Sequence, residues 1–241
     1  MDNALKERGV APQNEQDWQR FLTSMLEQRN SALRGFYSAG FAYLNQTLNE
    51  APCLAIDIET TGLDSQNDKI VSIGLVEFDC RRVYLNTAKH WLVNPGELSD
   101  SSIVVHGITH SDISSAPSIN AVMPEVLSAM AGRLTVVHYR AMEREFFRTL
   151  SLAVWQVPWL FPVIDTFALE ASCLSRKQNW FDRMRRKSLP SLRLPDARLR
   201  YNLPEYENHN AVIDAMATAE LLQAQAQYWH LRERKVADLV L

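Results

Sequence analysis

Two acidic residues end a short apolar segment, and their spacing places both carboxylates on one side of the chain. The segment from Cys53 to Glu59 has the composition of a β-strand, and it contains Asp57 and Glu59 among apolar neighbours. Residues two apart on a strand project to the same face, so the two carboxylates lie together. Buried carboxylates need a cation or a metal ion as compensation. From this pair alone, a metal site and an edge strand with a solvated acidic face are both open.

A histidine and an aspartate lie five residues apart in a helical segment near the end of the sequence. His209 and Asp214 are separated by about 140° around an ideal helix, so they do not share one face. If His209 lies at the frayed start of the helix, the two side chains can still converge on one pocket. The alternative for His209 is an ordinary surface histidine.

A third acidic position opens a helix after a short apolar strand. The strand is predicted over Leu134 to His138, and Glu143 lies near the start of the following helical segment, Ala141 to Leu150. The carboxyl end of such a strand is where α/β proteins place their active sites. The alternative is a solvated helix on which Glu143 is one of several exposed charges.

Together, these motifs resemble the DEDDh family of 3′→5′ exonucleases, also called DnaQ-like after the proofreading subunit of bacterial DNA polymerase III. The resemblance covers roughly residues 52–230, and the motifs follow the order that the family has. The matching strings are Asp57-Ile58-Glu59-Thr60-Thr61-Gly62, Val105-His106-Gly107-Ile108-Thr109, Val163-Ile164-Asp165-Thr166 and His209-x4-Asp214.

The resemblance implies a metal-dependent hydrolase that releases nucleoside 5′-monophosphates stepwise from a 3′ end. Its four acids would bind two divalent ions, with Mg2+ as the expected ion and Mn2+ as a substitute. His209 would be the general base that takes a proton from the attacking water. The metal ligands carried over from the family are Asp57, Glu59, Glu143 and Asp214, and with His209 they form the expected catalytic set.

Position 143 departs from the family pattern, which has Asp there within a His-Asn-Ala-x-Phe-Asp string. In this sequence the string is His138-Tyr139-Arg140-Ala141-Met142-Glu143. Glutamate keeps the charge and both oxygens, but its extra methylene shifts the carboxylate by on the order of 1 Å. We expect an active enzyme, and the alternative is a nucleic-acid-binding module with weak or no turnover.

Substrate contacts are expected around this site. By family resemblance, Thr60, Thr61 and His106 touch the terminal nucleotide. Residues 176–200 carry nine Lys or Arg against two Asp, which indicates either a phosphate-binding surface or a solvated basic helix. The expected phosphate contacts in that segment are Arg185, Arg186 and Lys187. The expected partner is a single-stranded nucleic acid with a free 3′ end, either DNA or RNA.

The remaining segments predict the elements that hold these residues. Strands over Ile70 to Phe78 and Val83 to Val93 form a hairpin, and strands then alternate with helices, which indicates an α/β fold with a mixed sheet. Further helices are predicted over Ala121 to Ala131, with Pro124 in its first turn, and from about Asn208 to Arg232. The family resemblance makes this sheet ribonuclease H-like, with flanking helices.

Two amphipathic helical stripes precede the first strand. We therefore expect a helical extension over residues 1–49, docked on an exonuclease domain over residues 50–241. Asn14 is the predicted N-cap of the first helix.

Composition excludes several protein classes. The chain has 241 residues, 46% of them apolar, and a net charge of −3, which is typical of globular proteins rather than fibrous or disordered ones. Its three cysteines are far apart, which excludes a disulfide framework and suits a reducing compartment. Without a membrane-length apolar run or a signal-peptide pattern, a cytoplasmic protein with no membrane partner is expected. A DNA polymerase partner and a homodimer are left open.

Overall fold

A five-stranded mixed sheet forms the centre of the fold in a computed structural model that describes residues 12, 14–96, 113–177, 189–207 and 209–240. The strands are β1 (Cys53–Thr60), β2 (Ile70–Phe78), β3 (Val83–Leu92), β4 (Leu134–Val137) and β5 (Val163–Asp165). The strand order is β3-β2-β1-β4-β5, with β1 antiparallel to β2 and parallel to β4. The mixed sheet predicted from the sequence is therefore confirmed.

The central position of β1 decides between the two alternatives for its acidic pair. Strand β1 is hydrogen-bonded on both sides, and every one of its residues except Asp57 is buried. The edge-strand alternative is therefore wrong. Asp57 and Glu59 belong to an interior strand, where their charges need compensation.

Helices cover the sheet, and the last α-helix of the described residues, α7 (Ala211–Tyr228), packs directly across β1 and β2. Small side chains make this approach close, since Ala211, Ala215 and Ala219 are fully buried. None of the helices that the structure describes is long and apolar enough to cross a bilayer. The described α-helices are α1 (Glu15–Met25), α2 (Ser31–Ser38), α3 (Ile119–Met130), α4 (Ala141–Trp155), α5 (Thr166–Lys177), α6 (Leu194–Arg200) and α7 (Ala211–Tyr228), with 3₁₀ turns at Ala42–Asn45 and Val236–Asp238.

Several predicted helix boundaries are wrong. Helix α3 begins at Ile119, so Pro124 lies beyond its first turn. Helix α7 begins only at Ala211, because the Asn210 side chain accepts hydrogen bonds from the next backbone N–H groups and caps the helix there. Helix α6 was not predicted, although Pro195 in its first turn is typical of a helix start.

The two N-terminal helices pack on the same hydrophobic core as the sheet, as the sequence predicted. The ring of Phe36 lies edge-on to Trp159, with centroids 5.6 Å apart. The Tyr37 hydroxyl donates to the Leu160 carbonyl at 3.0 Å. Asn14 caps α1 by accepting from a backbone N–H, also as predicted. The division between an extension and an exonuclease domain after residue 49 stays a prediction.

Candidate active site

Three carboxylates converge where β1 ends and α7 begins. Asp57, Glu59 and Asp214 each offer an oxygen, and these oxygens all lie within 4.8 Å of one another. The alternation of β1 places the first two on one face, and the crossing of α7 over β1 adds the third. The set contains only carboxylate oxygens, which hard divalent cations prefer as ligands. The donors present here therefore fit a divalent metal ion.

Gly74 makes this convergence possible. It pairs with Asp57 in the register of β1 and β2, directly beneath the start of α7. A Cβ atom at position 74 would lie 2.1 Å from the carbonyl carbon of Ala211 and from the nitrogen of Val212. Any side chain here would push away the helix that carries Asp214. Sequence reasoning missed this residue, although a glycine inside a strand often marks a close backbone approach.

Glu143 lies in the first turn of α4, in a buried position next to the acidic group. It is not one of the three residues that meet within 4.8 Å. Its charge nevertheless acts on Asp57: burial, followed by the charge of Glu143, raises the pKa of Asp57 well above its usual range. Burial also raises the pKa of Glu143 itself, and the charge of Asp165 adds to this effect. Among the described residues, no group donates a hydrogen bond to Glu143 Oε2.

That orphaned oxygen tests whether a cation fits the site. A buried carboxylate oxygen without a donor is costly, and a nearby positive charge would offset the cost. Burial first, and neighbouring carboxylates second, raise the pKa of both Asp57 and Glu143, so the ionised form of each acid is costly in this environment. Both observations favour cation binding by this group of acids.

His209 lies immediately before α7 and lines the same cleft. Its backbone is in the left-handed region, with φ of 72°, and its N–H donates to Asp214 Oδ2 at 2.9 Å. Burial raises the pKa of Asp214, and this hydrogen bond works in the opposite direction. The histidine and the aspartate therefore converge as the sequence analysis anticipated, with His209 outside the helix.

The cleft has a volume of about 330 Å3 and includes a histidine that sequence reasoning did not select as a site residue. His138 Nε2 donates to the Leu192 carbonyl at 3.0 Å, and Nδ1 lies 2.8 Å from the Thr166 hydroxyl. Burial lowers the pKa of His138 to about 4, so the ring is neutral at pH 7. The residues that line the cleft are Asp57, Ile58, Glu59, His138, Arg193, Leu194, Pro195, His209 and Asp214.

Asp165 orders the turn that leads into α4. Its buried carboxylate accepts from the backbone N–H groups of Tyr139 at 2.9 Å and Arg140 at 3.2 Å. The Arg140 guanidinium adds an ion pair at 3.2 Å. Tyr139 is held with φ of 80°, a left-handed conformation that is uncommon for this residue type. Asp165 therefore fixes the start of the helix that carries Glu143.

The predicted threonine contacts lie in the turn after β1, where both hydroxyls have partners. Thr60 Oγ1 donates to the Gly62 carbonyl at 2.6 Å, and Thr61 Oγ1 donates to Asp68 Oδ1 at 3.0 Å. The hydroxyls thus stabilise the turn, and their role toward a substrate stays a prediction. The other predicted contacts, His106, Arg185, Arg186 and Lys187, lie outside the described residues.

Comparison with known proteins agrees with the resemblance seen in the sequence. The exonuclease family RNase_T matches residues 54–222. DNA polymerase III PolC-type from Thermotoga maritima is 30% identical over 178 residues, which cover 73% of this chain and 12% of that protein. The chain spans 12% to 23% of the length of three curated relatives at 30–32% identity.

Solved exonuclease structures share the ribonuclease H-like fold. The nuclease domain of 3′hExo, described as a DEDDh family member bound to rAMP, has a TM-score of 0.59 and 14% identity, covering 76% of this chain and 95% of that one. Pop2p of S. pombe, described as a form with Mg2+ and Mn2+ bound, has a TM-score of 0.59 and 13% identity, covering 80% and 89%.

Proposed function

Because the chain belongs to the exonuclease family RNase_T, we propose that it is a metal-dependent 3′→5′ exonuclease that hydrolyses nucleic-acid phosphodiesters to nucleoside 5′-monophosphates. The observation that carries this proposal is the meeting of Asp57, Glu59 and Asp214 within 4.8 Å. Carboxylates this close together repel one another and destabilise the folded protein, and such groups cluster at functional sites. Binding of divalent cations next to a phosphodiester is such a function.

The proposed metal ligands are Asp57, Glu59 and Asp214, with Glu143 as the fourth acid. Bound divalent cations would offset the negative charge that develops on the phosphate oxygens during hydrolysis. Mg2+ is the proposed ion and Mn2+ its substitute, since both prefer oxygen ligands. The Pop2p structure, whose description names both ions, supports this choice by analogy of fold.

His209 is the proposed general base. An imidazole is a suitable proton acceptor near neutral pH, and the exposed side chain of His209 lines the cleft that holds the acids. Its backbone N–H donates a hydrogen bond to Asp214, which fixes the backbone position from which the imidazole projects into the cleft. In the proposed reaction, His209 removes a proton from the attacking water. The oxygen of that water forms a bond to phosphorus as the P–O3′ bond breaks. The leaving O3′ takes up a proton from solvent and becomes the 3′-hydroxyl of the shortened strand, while the released nucleotide keeps the 5′-phosphate.

The proposed substrate is a single strand with a free 3′ end. Phosphate contacts by Arg185, Arg186 and Lys187, and nucleotide contacts by Thr60, Thr61 and His106, are part of this proposal. The PolC-type relative supports a DNA polymerase as a further partner, since its name places the matching segment in a polymerase. A homodimer and a cytoplasmic location stay predictions.

Residues 1–49 are proposed to be a helical extension of the exonuclease domain. The family match begins at residue 54, at the start of β1. The aromatic contacts of α1 and α2 with the core support a role in covering the domain.

A substrate panel tests the activity. Single- and double-stranded DNA and RNA carrying a 3′ label are incubated with the protein and Mg2+ or Mn2+. We expect labelled nucleoside 5′-monophosphate from at least one single-stranded substrate, and none in EDTA. Release of internal fragments, or equal release in EDTA, would contradict the proposal.

Two variants separate the site from a contaminating nuclease. Asp57→Asn removes a proposed ligand and should abolish release. Glu27→Gln removes an exposed acid after α1 and should leave the activity unchanged. Equal activity of wild type and Asp57→Asn would exclude the acidic group as the active site.

A further inference from the structure

Among the described residues that line the cleft, Arg193 is the one arginine or lysine, and it lies there together with the three acids. Arg193 is exposed and contributes to the wall formed with Leu194 and Pro195, while Asp57 and Asp214 line the same cleft. Within the described ranges, Arg193 forms no ion pair with a carboxylate. An arginine that lines an acidic cleft and pairs with no carboxylate of the described residues remains available to an anion that enters the cleft.

Hydrogen bonds fix the backbone on both sides of this arginine. The preceding carbonyl, that of Leu192, accepts from the half-buried His138 ring at 3.0 Å. The carbonyl of Ser191 accepts from the Arg200 guanidinium at 2.7 Å. The carbonyl of Arg193 itself accepts from the Ala197 N–H at 2.8 Å in the first turn of α6. The position of the Arg193 Cα is therefore set by the core, and only its side chain is free to adapt.

Arg200 is itself anchored in the core, which makes this support rigid. Its Nε pairs with the buried Glu170 at 2.9 Å. The same carboxylate accepts from the hydroxyl of Tyr201 at 2.6 Å and from the side-chain amide of Gln225 at 2.9 Å. A segment held this firmly can present a side chain at a defined place, as a binding site requires.

The charge balance of the cleft indicates what this arginine binds. Three carboxylates attract cations but repel the phosphates of a nucleic-acid strand. A guanidinium offers several N–H donors in a planar fork that matches two phosphate oxygens, and it stays charged at all working pH values. Arg193 therefore supplies the attraction for a phosphate that the acidic residues of the cleft lack.

We propose that Arg193 binds a backbone phosphate of the substrate strand, within two linkages of the scissile bond, and so positions the 3′ end at Asp57, Glu59 and Asp214. This inference rests on the proposed exonuclease function, which it deepens by assigning a substrate contact to a described residue. It concerns a residue separate from the basic positions 185–187.

Paired changes in protein and substrate test the contact. Oligonucleotides carry one neutral methylphosphonate at the first, second or third linkage from the 3′ end. Their dissociation constants for wild type, Arg193→Ala and Arg193→Lys are measured by fluorescence anisotropy in EDTA, where hydrolysis does not occur. We expect one methylphosphonate to weaken wild-type binding roughly tenfold or more and to leave the binding of Arg193→Ala unchanged.

Kinetics with the unmodified strand provide the second readout. Arg193→Ala should raise KM roughly tenfold or more with kcat changed by less than about twofold, because a remote phosphate contact acts on binding. Arg193→Lys keeps the charge but not the fork, and should recover part of the loss. The matched control is Arg81→Ala, an exposed arginine in the β2–β3 hairpin, next to the start of β1 and therefore at the other end of the sheet.

The outcomes separate this inference from the proposed function. If wild type hydrolyses the strand but every methylphosphonate weakens wild type and Arg193→Ala equally, the Arg193 contact is wrong and the exonuclease function stands. If wild type does not hydrolyse any strand, the proposed function is wrong. The dissociation constants of the modified strands for wild type and Arg193→Ala then still decide whether Arg193 contacts a phosphate. If wild type neither binds nor hydrolyses, both are overturned.

Discussion

Replacing one acid of the cleft should make the metal-free protein more stable while it removes activity. Asp57 is the choice because burial, followed by the charges of Glu143, Asp214 and Glu59, raises its pKa. Asp57→Asn keeps the size of the side chain and removes the charge. In EDTA at pH 7, the variant therefore loses a repulsion that the wild type bears in its folded state.

The size of this effect follows from the distance between the charges. At an effective dielectric constant of about 20, two unit charges 4.8 Å apart repel by about 3.5 kcal/mol. Spreading of each charge over two oxygens and partial protonation reduce this value. We expect a net gain of about 2 kcal/mol, which corresponds to a rise in Tm of about 4–8 °C for a chain of this size.

Thermal unfolding followed by calorimetry measures both parts of the prediction. In EDTA, Asp57→Asn should unfold at a higher temperature than the wild type. Divalent metal should then stabilise the wild type, by about 2.7 kcal/mol at 100 times Kd, and stabilise the variant much less. Glu27→Gln is the matched control, since it removes an exposed charge and should change neither value.

The pH dependence has a defined sign. A carboxyl whose pKa is raised in the folded state takes up its proton there at a higher pH than in the unfolded chain. Lowering the pH from 7 therefore stabilises metal-free wild type relative to Asp57→Asn, and the advantage of the variant shrinks. A variant that is less stable than wild type in EDTA at pH 7 would refute the reasoning, as would an equal response of both proteins to metal.

Substitutions at three further positions test how the site is held. Gly74→Ala should cost roughly 1–3 kcal/mol and lower turnover, because its Cβ would meet the start of α7; wild-type Tm and turnover would contradict this. Glu143→Ala should lower turnover roughly 10–100-fold while Glu143→Asp retains it; a silent wild type with an active Glu143→Asp variant would support the binding-module alternative. Burial lowers the pKa of His138 to about 4, so wild type should lose about 3 kcal/mol as the pH falls from 6.5 to 4. That loss should be absent from His138→Gln in chemical denaturation, and equal pH profiles would contradict it.

Local patterns predicted much of the fold because their causes lie within a few residues of each other. The strands β1, β2 and β5 follow from short apolar segments, and the N-cap at Asn14 follows from capping chemistry. Where a boundary was wrong, a local feature competed with the apolar pattern. The apolar pattern predicted a longer helix than α7, but the side chain of Asn210 caps the helix and makes it begin at Ala211.

The sequence by itself determined which residues could do chemistry: the acids, the histidine and their order along the chain are enough to resemble the DEDDh exonuclease family. It also determined that Asp57 and Glu59 share a face, because strand geometry is local. Only the tertiary structure decided that β1 is central, that Gly74 admits α7 with Asp214, and that His138 holds the segment with Arg193. Those facts depend on contacts between distant segments, which form only when the whole core packs and which no local pattern specifies.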